Sequence, residues 1–254
     1  MSPADLSAAA LAAGLAEPSI VIQRLSPPEW GAAVEADRPL YPASMIKVPI
    51  AAALWSSGAP CLNDSHVVAD AHMTANDAAS PLVPGYLARV EELADLMLTR
   101  SDNVATNVLI DAIGRERATA YAHACGLRDT AIRRRLSGAL PLIADPEATG
   151  RNAHPARDAA HLFMLIAKKE IAGAEWLRTT LERQRWNEKL SRGLRTGDRF
   201  AHKTGDTDEV THDGGILQTE EGGVYVVVVY TALSSSPEGD GRFADFMRRV
   251  RPLL

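Results

Sequence analysis

Lysine is scarce in this chain. Of 254 residues 27 are basic, and only five of those are Lys: 47, 168, 169, 189 and 203. Two of the five fall in short strings with hydroxyl-bearing neighbours, Ser44-Met45-Ile46-Lys47 and Lys203-Thr204-Gly205. A third string, Ser101-Asp102-Asn103, lies between them. A serine hydroxyl is a poor nucleophile until a base takes its proton, and a lysine amine acts as that base only where burial or nearby positive charge favours its neutral form. Ser44 and Lys47, one turn apart near a helix start, share a face, and Lys203 can supply the positive charge. Backbone amides at that helix start suit a developing oxyanion. For this composition S-x-x-K arises by chance about 0.3 times, and S-D-N and K-T-G about 0.02 times each. Finding all three in this order by accident is improbable, which makes Ser44 a candidate activated nucleophile.

The elements that must position these residues can be read from periodicity. Strand-like runs lie at Ser19 to Leu25 and Val224 to Thr231, with weaker ones at Arg199 to Lys203 and His212 to Gln218. Glu91 to Thr99, Val104 to Ile113 and Ala156 to Lys168 have helical spacing, Leu6 to Ala16 reads as a first helix, and Phe243 to Val250 as a closing one. In the third of these, Ala159, Leu162, Phe163, Ile166 and Ala167 form one face. Ser101-Asp102-Asn103 is then a turn between helices, with Ser101 or Asp102 capping the second. Strands at both ends around a helical middle predict a discontinuous α/β lobe from 1–40 and 190–254, a helical lobe from 41–189, and a site between them. The stretch Ser137 to Pro155 is too long for a simple connection and reads as a functional loop.

These three motifs resemble those of the penicillin-recognising serine hydrolases, and within them the class A β-lactamases. The resemblance covers nearly the whole chain: ELADLMLTRSDNVATNVLIDAIG is similar to the family's helix, SDN turn and following helix, and VYVVVVYT to its last strand. It implies an α/β sandwich, in which terminal helices flank a five-stranded antiparallel sheet, plus an all-helical lobe. It also implies Ser44 as the acylated nucleophile, Lys47 as its base or proton shuttle, and Ser101 as proton donor to the leaving nitrogen. Asn103 would contact the substrate's acylamide group. Lys203 and Thr204 would bind its carboxylate, and Gly205 would let it approach the strand. The backbone N–H groups of Ser44 and Asp206 would form the oxyanion hole.

Two departures matter. The E-x-x-L-N string, whose glutamate activates the deacylating water in class A enzymes, is missing, and its place falls near Ser137 or Gly138. Glu147, the one glutamate on that loop, is a candidate replacement, with a solvated surface residue as the plainer reading. The arginine often found on the strand after K-T-G is replaced by His212, a candidate weaker carboxylate anchor, and Arg242 is a second candidate for that region. The resemblance therefore implies a β-lactamase-like serine hydrolase acting on β-lactams or related acyl substrates. A D-alanyl-D-alanine carboxypeptidase or esterase with the same machinery is the alternative, or a penicillin-binding sensor that does not turn over.

Composition excludes other classes. A net charge of -5 gives no reason to expect nucleic acid as a partner, and no apolar run is long enough to span a bilayer. The seven His residues show no metal-ligand spacing, and no glycine-rich phosphate loop is present, so neither metal nor nucleotide cofactor is expected. The expected partner is a small β-lactam or peptidoglycan-like molecule, and the chain is expected to act as a monomer. A β-lactam substrate calls for a periplasmic or secreted enzyme, although Asp5 and the lack of Lys or Arg before Arg24 do not make a secretory signal. Cys61 and Cys125 read as two small buried side chains.

Overall fold

A computed structural model describes residues 1–254. Its strands are β1 (Ser19–Arg24), β2 (Trp30–Val34), β3 (Ser65–Val67), β4 (Leu87–Arg89), β5 (Arg199–Asp206), β6 (Thr211–Gln218) and β7 (Val224–Thr231). The helices are α1 (Pro3–Ala12), α2 (Lys47–Ala52), α3 (Val90–Thr99), α4 (Asn103–Ile113), α5 (Arg115–Ala124), α6 (Ala156–Lys168), α7 (Ala174–Leu181) and α8 (Pro237–Val250). Five strands form one antiparallel sheet in the order β2-β1-β7-β6-β5, and β3 and β4 pair separately.

The sheet is covered on both faces, which is why β7 reads as an unbroken apolar run rather than an alternating one. Val226, Val228 and Tyr230 join the larger core with α3, α4 and α6, while Tyr225, Val227 and Val229 join a smaller core with α1 and α8. On α8, Phe243, Phe246, Met247 and Val250 recur at helical spacing and fill that second core. On α6, Ala159, Leu162, Phe163 and Ile166 point into the first.

Strands β3 and β4 and helices α5 and α7 were not expected from the sequence, and three further elements differ from its reading. Trp30-Gly31-Ala32-Ala33-Val34 forms an edge strand despite the weak strand formers Gly31, Ala32 and Ala33 at its centre, because its backbone pairs with β1 from Arg24 to Ile20. α8 starts six residues earlier than expected: Ser236 accepts from the Gly239 N–H and Pro237 occupies the first turn, a start signal masked by Gly239 and Gly241. α1 likewise starts at Pro3, capped by Ser2 and Asp5. Cys61 is exposed and Cys125 half-buried, so the expectation of two buried thiols fails for Cys61, which sits in a polar turn bonded to Asp64. No helix is long and apolar enough to cross a membrane.

Candidate active site

Ser44 lies in a short 3₁₀ turn, Ala43–Ile46, that runs directly into α2 at Lys47. In a 3₁₀ turn residues three apart eclipse, so Ser44 and Lys47 fall on one side, as their spacing predicts. Ala43, immediately before Ser44, has φ +46°, and Ser101 has φ +58°. Each left-handed non-glycine residue costs about 1–3 kcal/mol. Met45, Ile46, Val48 and Ile50 are buried around the first, at about 1.5–3 kcal/mol apiece, so packing outweighs the strain and holds the turn.

Three chain segments meet at Lys47 and Lys203, both fully buried. Lys47 Nζ lies 2.7 Å from Ser101 O, 3.0 Å from Ser101 Oγ and 2.8 Å from Asn103 Oδ1. Lys203 Nζ donates to Ser101 Oγ at 2.9 Å and to Thr204 O at 2.9 Å. The Ser101 hydroxyl is thus a junction between the two lysines. Burial, and then the charge of Lys203, push the Lys47 amine well below its usual range. Lys203 is brought to about 7, chiefly by burial, with Asp206 opposing and Lys189 reinforcing the shift.

Ser44 is half-buried and its hydroxyl makes no hydrogen bond within the protein. A Cβ at Gly205 would stand 3.0 Å from Pro42 O, 3.1 Å from Ser44 N and 3.2 Å from the Ala43 Cβ. Glycine is therefore needed for β5 to press against the Ser44 turn, a contact inside the protein that comes before any approach by substrate. Asp102 caps α4 by accepting from the Ala105 N–H at 2.9 Å, as expected.

The acidic side chain of Asp206 is already neutralised. Lys189 Nζ donates to both its carboxylate oxygens, at 2.6 and 2.7 Å, and Thr211 Oγ1 donates at 2.7 Å. Lys189, 4% exposed, is a residue the motifs did not indicate. The one signal for it was lysine scarcity itself, since three of the five lysines prove to be buried.

The side chains of three candidates make no hydrogen bond to Ser44, Lys47, Ser101 or Lys203. His212 is fully buried, its ring stacked on Tyr230 with centroids 4.0 Å apart. Its Nε2 lies 2.8 Å from Tyr41 O, and its Nδ1 lies 2.7 Å from Thr211 O and 3.2 Å from the Thr231 nitrogen. Burial depresses it to about 4, so it is a neutral packing residue and not a cationic anchor. Glu147 is exposed and paired with Arg115 at 2.5 Å, beside the Arg115–Asp145 pair. Arg242 donates to Gly14 O and to Glu238, joining α8 to the end of α1 on the outer face.

The loop position where a glutamate was sought does reach the cluster, but as glycine. A Cβ at Gly138 would fall 1.9 Å from Ala75 O and 2.9 Å from Asn103 Nδ2, and the Gly138 N–H is held by Thr74 Oγ1. Backbone therefore fills the space a side chain would need. Asn103 is pinned from the same side, its Nδ2 donating to Ala75 O and its N–H to Asn76 Oδ1. No group of three or more His, Cys, Asp or Glu side chains is arranged to hold a metal.

The model of the Beta-lactamase enzyme family matches residues 4–250. No curated protein matches the chain. Among solved structures, PBP-A is 25% identical and superposes with a TM-score of 0.84, covering 100% of this chain and 97% of its own. A beta-lactamase from Sphaerobacter thermophilus DSM 20745 is also 25% identical, with a TM-score of 0.84 and coverage of 98% and 97%. An ancestral class A beta-lactamase, 22% identical over 99% of both chains with a TM-score of 0.82, shares the fold.

Proposed function

Because the chain belongs to the beta-lactamase enzyme family, we propose that it is a serine hydrolase that opens β-lactams or related acyl substrates through an acyl-Ser44 intermediate. The observation that carries this reading is the pair of buried lysines joined through Ser101 Oγ. Ser44 Oγ attacks the carbonyl carbon, and its proton passes to Lys47, whose neutral form burial favours. The proton then moves through Ser101 to the leaving nitrogen, with Lys203 holding that hydroxyl in place. Lys203 and the uncommitted Thr204 hydroxyl bind the substrate carboxylate, Asn103 its acylamide group, and the N–H groups of Ser44 and Asp206 the oxyanion.

The second half-reaction is slow in this reading. Gly138 leaves no room for a carboxylate beside Asn103, and Glu147 is turned to solvent. Losing a positioned general base costs on the order of 10²- to 10⁴-fold. The same observation favours a second reading, a D-alanyl-D-alanine peptidase or a long-lived penicillin-binding protein. It accords with the 25% identity to PBP-A, a variant of which is described as an acyl-enzyme complex with penicillin G. A chromogenic β-lactam followed by absorbance and intact mass separates the two. Mass gain with continuing turnover supports a hydrolase, and a mass gain that stops after one equivalent supports the second reading. Absence of both contradicts acylation by β-lactams.

A pH dependence follows from Lys203. Its cation, needed to hold a carboxylate, is present below about 7 and lost as pH rises through that value. The second-order acylation rate with a carboxylate-bearing β-lactam is expected to fall about tenfold per unit above that pH. A profile that stays flat to pH 9 would show that Lys203 is not the anchor.

A further inference from the structure

We propose that Ser191, His202 and Asp213 form a second nucleophilic centre, an esterase-like site for small carboxylate-bearing esters, separate from Ser44. Side chains alternate along β5, so Lys203 and Gly205 face the Ser44 turn while Phe200 and His202 face the opposite side of the sheet. There Ser191 Oγ lies 3.1 Å from His202 Nε2, and His202 Nδ1 lies 2.7 Å from Asp213 Oδ1.

The arrangement assigns each group a role. Asp213 is fully buried, and its second oxygen accepts from the Leu190 N–H at 3.0 Å. The carboxylate therefore holds the hydrogen of His202 on Nδ1 and leaves Nε2 facing Ser191 as an acceptor. The ring is fixed by stacking on Phe200, with centroids 4.6 Å apart and planes 15° from parallel. Asn187 Oδ1 lies 3.0 Å from the same Nε2, its amide nitrogen donating to Gln184 O at 2.8 Å. That oxygen accepts no other hydrogen bond and is placed to accept from an Nε2–H. Nucleophile, base and orienting acid are recognised by geometry, not by sequence order.

Ser191 is half-buried in the 3₁₀ turn Leu190–Gly193 and lines a cavity of about 740 Å³ with Asn187, Arg183, Arg195, Arg199 and Phe200. Glu182 and Asp198 also line it, and Asp198 is taken by the buried Arg251. The three lining arginines pair with Asp95, Glu221 and Glu182, but their side chains are 50–65% exposed. Such exposed pairs hold weakly and yield to a better-placed anion, which selects an ester that carries a carboxylate. Ser191 Oγ attacks the ester carbonyl while its proton passes to His202 Nε2, and the alcohol leaves with that proton. Water then cleaves acyl-Ser191, giving its proton to His202, which returns it to Ser191 as the acid departs.

The test uses the Ser44→Ala protein, so its failure leaves the reading of Ser44 untouched. It is treated with a fluorophosphonate, which loses fluoride to a nucleophilic serine, and the adduct is located by peptide mass mapping. One adduct per chain on the Ser191 peptide is expected, absent when Ser191→Ala is added and slowed at least tenfold by Asp213→Asn. If Asp213→Asn does not fold, Ser191→Ala, which removes one half-buried hydroxyl, decides alone. Mono-4-nitrophenyl glutarate is expected to be hydrolysed at least tenfold faster than 4-nitrophenyl acetate at low salt, a preference that shrinks at 1 M salt. An unlabelled Ser191, labelling unchanged in a folded Asp213→Asn protein, or equal rates for the two esters would overturn the proposal.

Discussion

Ser44→Ala is expected to abolish both the covalent adduct and any turnover of a β-lactam, a loss on the order of 10⁶-fold where nucleophile and base act as a unit. The substitution removes one oxygen that has no hydrogen bond within the protein, so folding has little to lose. The neighbours that fix the turn, Met45 and Ile46 below it and Gly205 against it, are untouched. An unchanged melting temperature alongside lost acylation is therefore the expected pair of results. Adduct of unchanged yield in this variant would place the chemistry on another residue.

Lys47→Met carries the second-largest effect, an acylation rate lower by about 10²- to 10⁴-fold. Methionine matches the buried stem of lysine but has no lone pair for the Ser44 proton, and it leaves Ser101 O and Asn103 Oδ1 without their donor. Some stability is lost with those bonds, about 1–3 kcal/mol for each buried acceptor left unpaired. Acylation must therefore be compared at a temperature where both proteins are folded. Stopped-flow measurement of adduct formation separates this variant from Ser44→Ala: Lys47→Met acylates slowly, Ser44→Ala not at all. A Lys47→Met protein that acylates at the wild-type rate would mean that the proton goes elsewhere.

Much of this was legible in the sequence, and the misses have physical reasons. The motif residues Ser44, Lys47, Ser101, Asn103 and Lys203 announce themselves because rare residue types recur at fixed short spacings, and the structure brings them within hydrogen-bond reach of one another or onto one turn. β7 and the α3–α4 pair were legible because their apolar patterns are long. What failed depends on partners far apart in sequence. His212 sits at a strand position where a cation was sought, yet Tyr230 and Tyr41 O enclose it, and no local pattern foretells which face of β6 they cover. Glu147 was the one glutamate on its loop, but Arg115, 32 residues earlier, draws it outward. Lys189 belongs to no motif because its partner, Asp206, lies 17 residues later. The Ser191–His202–Asp213 cluster has no motif at all, since a strand, a turn and a second strand each supply one member.

Ser44 is expected to be acylated by a β-lactam and then released slowly. The most direct measurement is acid quenching of the wild-type protein after brief exposure to excess chromogenic β-lactam, followed by intact mass and peptide mapping. Ring opening by addition loses no atoms, so the expected result is a gain of one whole β-lactam per chain, carried by the Ser44 peptide and decaying much more slowly than it forms. An unmodified Ser44 peptide, whether the β-lactam is being consumed or not, would contradict the account.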